Sequence, residues 1–120
     1  MNHGTFGAAY LRDMARAYRN YKSLGDGAFA QVSDADLHTL IDQDANSIAI
    51  IVQHVAGNLR SRFTDFLTSD GEKPDRDRDA EFEMPVHTSR DQILATWNAA
   101  WAVTLEAVEA LSAEDLERTV

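Results

Sequence analysis

The chain has 120 residues, no cysteine, and 20 acidic against 11 basic side chains, for a formal net charge of −9. A chain of this length forms one domain, and a single helical domain over 1–120 is expected. Its acidity argues against an electrostatic nucleic-acid binder and a polybasic membrane anchor, and the missing thiols exclude disulfides, thiolate metal sites and a cysteine nucleophile.

The first helical pattern runs from about Thr5 to Val32, with Phe6, Tyr10, Met14, Tyr18, Tyr21, Leu24 and Ala28 at steps of three and four. Gly25 and Gly27 each weaken the last turns by about 1 kcal/mol relative to Ala, so a bend or fraying near Leu24 is expected. The linker from Ser33 to Ala45 holds a short turn, because Ser33 and Asp36 have the spacing of a capping box. The second helix is expected over Ser47–Leu67, capped by Asn46 or Ser47, with Ile48, Ile51, Val52, Val55, Leu59, Phe63 and Phe66 as its stripe. Its longest apolar run, Ile48 to Val52, is far too short to span a membrane. With no signal-like start at Met1-Asn2-His3-Gly4, a cytoplasmic protein is expected.

The second linker, Ser69 to Thr88, carries Pro74, Pro85 and many charges. A structureless loop of that length is unusual in a compact domain, so it is functional, folded onto the helices, or mobile. Within it, Asp75-Arg76-Asp77-Arg78-Asp79 reads as a solvated run, not a calcium loop, because Ala80 and Val86 stand where that loop needs Gly and Glu. Glu81 and Glu83 are expected to face water on either side of Phe82, which docks on the core. The third helix runs from about Arg90 to Leu111, opened by a Ser89/Gln92 capping box, with Ile93, Leu94, Trp97, Trp101, Leu105, Val108 and Leu111 as its stripe. Trp97 and Trp101 read as core. The fold class is therefore all-α, an up-down helical bundle with three main helices.

One echo runs through the chain. Val32-Ser33-Asp34-Ala35-Asp36-Leu37 follows the first helix, and Leu111-Ser112-Ala113-Glu114-Asp115-Leu116 follows the third. It suggests two related helical hairpins, the second lacking its last helix, since up-down packing more often closes with four helices. Three helices leave an apolar groove, and a homodimer through an exposed apolar helical face would cover it.

The candidate for chemistry is His54, at the edge of the second helix's stripe, where a neutral imidazole can ligate a metal inside a bundle or bond to a neighbouring helix. His3, His38 and His87 are scattered, and no two histidines share a helix face, so spacing alone yields no complete metal site. Ser61, Thr64 and Ser69 have no histidine placed to activate them, so there is no hydrolase signature, and no glycine-rich phosphate loop is present.

From Asn46-Ser47-Ile48 through Gln53-His54-Val55-Ala56-Gly57-Asn58, and on through Arg62, Asp65, Phe66, the Gly71-Glu72-Lys73-Pro74 segment and Arg78 to Glu83, the sequence resembles the DinB-like superfamily. The resemblance covers most of the chain. It implies a four-helix bundle holding zinc or nickel on three histidines. His54 matches the ligand on the second helix; the other two lie as H-x-x-x-H on a fourth helix, for which this sequence has no counterpart. Characterised members include thiol-dependent transferases and a maleylpyruvate isomerase. The resemblance thus implies a relative of metal-dependent enzymes, incomplete at its C-terminus and inactive as this 120-residue chain. The alternative is a non-catalytic helical dimerisation module.

Overall fold

The computed structural model describes residues 3–85 and 88–118. Among them are three α-helices, α1 (His3–Gln31), α2 (Ile48–Phe63) and α3 (Arg90–Glu109), with three short 3₁₀ turns at Asp36–His38, Ala80–Phe82 and Ala113–Glu117. This is the all-helical architecture expected.

α1 runs unbroken through Gly25 and Gly27. Gly25 is where Trp97 of α3 presses closest: a Cβ there would lie 2.5 Å from the indole Cζ2. Asp26 accepts the Trp97 Nε1–H at 2.9 Å, so the expected weak point is pinned against α3. The buried face of α1 is also not the expected one. Leu11, Ala15 and Phe29 face the core, while Phe6, Tyr10, Tyr21 and Leu24 are exposed. The two sets lie roughly a quarter-turn to a third of a turn apart around the helix. Small residues let α1 approach closely, and Gly7 packs against Ala113 in the same way.

Ser47 caps α2 by accepting the Ile50 N–H at 3.1 Å. The helix stops at Phe63, four residues short of the expected end, because Thr64 turns extended and Asp65 takes the left-handed conformation at φ 50°. Ala49, Val52 and Ala56 are buried, whereas Ile48 and Ile51 are exposed. α3 begins with the reciprocal Ser89/Gln92 capping box the sequence announced. Its Ile93, Trp97, Trp101 and Val108 join Phe29, Leu37 and Val52 in the core.

α3 is the central element and packs against both other helices, whereas α1 and α2 barely touch. Tyr18 bridges them, its ring edge-on to Phe63 at 5.9 Å and to Trp101 at 6.4 Å. Arg90 ties the start of α3 to the end of α1, donating to the carbonyls of Phe29 and Val32 and pairing with Asp34. That cation at the C-terminal carbonyls of α1 also complements its dipole. The result is an open bundle, 53 × 32 × 23 Å, with a radius of gyration of 16.8 Å, against about 14 Å for a closed domain of this length. One face each of α1 and α2 has no helical partner among the described residues.

The internal echo is structural. Each Ser-x-x-Asp segment forms a 3₁₀ turn, with Asp36 N–H donating to Ser33 Oγ at 3.1 Å and Ser112 N–H donating to Asp115 Oδ2 at 2.8 Å. Leu37 is fully buried in the first, whereas Leu116 is exposed in the second.

Candidate functional site

His54 lies on α2, whose backbone presents Gln53, His54 and Gly57 to the segment 69–85. That segment is folded onto the bundle as a strap. The Gln53 amide reaches the carbonyls of Ala80, Glu81 and Glu83 at 3.3, 2.9 and 2.9 Å, and so fixes the 3₁₀ turn Ala80–Phe82 against the helix. Lower on α2, Ser61 donates to Gly71 O at 2.6 Å, and Lys73 Nζ donates to Ser61 O at 2.7 Å.

The turn brings Glu81 to His54. His54 Nδ1 lies 3.0 Å from Glu81 Oε1, and Arg76 grips the same carboxylate through Nε to Oε2 at 2.9 Å and Nη2 to Oε1 at 3.0 Å. Both reversals of expectation are here: Glu81 does not face water and Arg76 is not solvated, their side chains being 11% and 4% exposed. The cause is Gly57. A Cβ at that position would sit 2.5 Å from Glu81 Cδ and closer still to Oε2, so only glycine lets the carboxylate lie against the helix. Phe82, expected on the core, instead lies over the His54 ring at 4.8 Å and remains 43% exposed.

The electrostatics follow from the geometry. The Arg76 guanidinium holds the Glu81 carboxyl below its ordinary value, against the opposing effect of burial and with help from His54. An ionised carboxylate only accepts, so the proton between it and His54 sits on Nδ1. In the neutral ring, Nε2 then carries the lone pair, and no described group bonds to it. The other arm of Arg76 is unsatisfied: Nη1 is buried without a hydrogen-bond partner, a situation that costs about 1–3 kcal/mol.

The remaining histidines do not converge on His54 in the described residues. His38 Nε2 bonds to Thr88 O at 2.8 Å, a structural link between the first linker and the start of α3. His87 and the side chain of His3 lie outside the described residues. Among the described residues, no group of three His, Cys, Asp or Glu is placed to hold a metal, and no helix is long and apolar enough to cross a membrane. Sequence spacing missed Glu81 and Arg76 as partners of His54. Their signal was the Gly57 directly after the Val55-Ala56 pair, which no periodicity argument interprets.

A family model described as "Protein of unknown function (DUF1572)" matches residues 5–120, almost the whole chain. The chain belongs to the DUF1572 family. His54, Gly57, Arg76 and Glu81 all fall within the part matched to DUF1572. No curated protein and no solved structure matches the chain.

Proposed function

We propose that the chain is a DinB-like scaffold that contributes His54 as one ligand of a divalent metal, zinc or nickel, completed by a helix packed on the free faces of α1 and α2. The observation that carries this reading is the Arg76–Glu81–His54 chain. Metal-ligating histidines characteristically donate their second ring N–H to a carboxylate, which fixes the tautomer and the ring orientation. Here that carboxylate is itself anchored, and Nε2 is left with its lone pair. The exposed Ile51, one turn before His54 on the same helix face, and the exposed Phe6, Tyr10, Tyr21 and Leu24 of α1 give such a helix an apolar surface to cover.

The described residues do not complete the site. They offer one imidazole, and Arg76 takes both oxygens of the nearest carboxylate. A catalytic centre needs about three protein ligands and an open position, so the described residues alone do not make one on this reading. A bound metal would supply activation of a thiol or water nucleophile. This chain's own contribution is to hold a proton on Nδ1 and keep the ring fixed between Glu81 and Phe82.

The test is the metal content of the gene product purified from the cells that make it, beside its His54→Ala variant. About one zinc or nickel per chain, lost in the variant, is the expected outcome; stoichiometric metal that survives the substitution ends the assignment.

A second reading, a non-catalytic homodimerisation module, is favoured by the order of residues on the exposed face of α1. Phe6 and Tyr10 near one end are mirrored by Leu24 and Tyr21 near the other. An antiparallel second copy would set Phe6 against Leu24 and Tyr10 against Tyr21, the self-complementarity that a two-fold interface requires. That module needs no metal, so the same measurement separates the two.

A further inference from the structure

A cleft of about 1030 Å³ opens between α2, α3 and the strap. Its α3 wall is made of Ala95, Thr96, Ala99 and Val103. These lie in a stretch, Gln92 to Leu105, that holds no charged residue, although Ala95, Thr96 and Ala99 are exposed. A solvated helix face ordinarily carries charge, so this face is built to be covered. Its small side chains let a second helix come close, to about 8 Å between axes. The rim has the opposite character. Asp65, Asp75, Asp77 and Glu83 are exposed there, and none is in an ion pair among the described residues. Of the bases beside them, Arg76 is paired with Glu81, Lys73 is held by the carbonyls of Ser61 and Asp70, and Arg60 is exposed. The lining therefore has an excess of acid that its own bases do not balance.

The balancing charge stands elsewhere on the same chain. Arg12 and Arg16 are exposed one turn apart on α1, with no ion-pair partner among the described residues. Ala9, Ser23 and Gly27 continue their face at steps of three and four. That face lies about a third of a turn from the one bearing Phe6, Tyr10, Tyr21 and Leu24. We infer that the cleft receives α1 of a second copy, small face against small face, with Arg12 and Arg16 reaching the acids of the rim. The two surfaces differ, so the contact is heterologous. It depends neither on His54 nor on the apolar face of α1. Charge pairs at an exposed rim add little affinity, so the contact forms at about 0.1 mM, above the micromolar range, and weakens as salt screens it.

The test is a charge-swap complementation between two variants of the 120-residue chain. One carries Asp75→Lys with Glu83→Lys, the other Arg12→Glu with Arg16→Glu. All four positions are exposed, so the core is left intact. Each variant keeps a net negative charge, so bulk attraction does not imitate the contact. The first retains the arginine face and the second retains the acidic rim. In a nitrogen-15 amide titration at low salt, the labelled second variant is expected to shift at Ala56, Ala99 and Val103 when the unlabelled first is added, with a midpoint of about 0.1 mM. Each variant alone, raised through the same concentrations, should self-associate through the cleft at least tenfold more weakly than the parent chain. Pairing through the apolar face of α1 leaves these cleft amides unmoved. Three results would each overturn the proposal: no saturable shift in the mixture, shifts that miss the cleft, or single variants that associate through the cleft as the parent does.

Discussion

Glu81 concentrates the consequences of this structure in one side chain. It accepts from Arg76 and His54 while lying against Gly57. Removing its charge leaves the buried guanidinium with Glu72, 3.9 Å from Nη1, as its remaining counter-ion, so Glu81→Gln should cost about 2–3 kcal/mol at pH 7, read from urea unfolding. The pH dependence has a definite sign. Arg76 lowers the folded carboxyl below its ordinary 4.5, so the Glu81 contribution is fully present above that value and is lost as the pH falls through the lower folded one. The gap between parent and variant should therefore close in acid; a gap independent of pH would show that the charge is not what matters. Gly57→Ala tests the same contact sterically. A methyl that close to the Glu81 carboxylate must expel it, so hydrogen-exchange protection of Glu81 to Glu83 should drop while that of α3 is kept. None of this was legible in the sequence. An alternating run of Asp and Arg looks the same whether an arginine within it points to water or into a carboxylate, and only the chain path of the strap decides.

At the scale of elements, the sequence was most informative where a local rule acts alone. The Ser89/Gln92 box and the Ser33 turn depend only on near neighbours, and both formed. The end of α2 did not follow its stripe, because Asp65 entered the left-handed region before Phe66 could be used. The α1 stripe was misjudged for a different reason. Steps of three and four placed Phe6, Tyr10, Tyr21 and Leu24 on the inward stripe, but close packing is set by small residues, Gly25 against Trp97 of α3 and Gly7 against Ala113 of the last 3₁₀ turn, and these turn the neighbouring face to the core. The two glycines near the end of α1 make a paired test. Helix propensity favours alanine at each by about 1 kcal/mol. At Gly27 an added methyl would find nothing within 4 Å, so Gly27→Ala should stabilise by about 0.5–1 kcal/mol. At Gly25 the methyl would meet Trp97 at 2.5 Å. Overpacking of about 1–3 kcal/mol then outweighs propensity, and Gly25→Ala should lower the melting temperature.

On the scale of the whole molecule, three helices with α3 in the middle form a core but leave it open. The radius of gyration of 16.8 Å and the exposed apolar residues on both α1 and α2 express the same fact. The all-α class and the three-helix count were legible because long periodic segments leave little choice. The open side was foreshadowed by the echo after α1 and α3, while the placing of α3 between the other two was not, since it arises from contacts distant in sequence. Exposed apolar surface of this kind favours association. The isolated 120 residues should dimerise at micromolar concentration, and Tyr21→Lys with Leu24→Glu should return them to monomers in analytical ultracentrifugation; a monomeric parent chain would remove the support for association through α1. Whether the open side serves a metal centre rests on His54. The most direct measurement is the metal bound to the gene product isolated from its own cells, by elemental analysis, with and without His54→Ala. About one zinc or nickel per chain, absent from the variant, is the expected result, and metal retained at full stoichiometry without His54, or no metal in either protein, would contradict it.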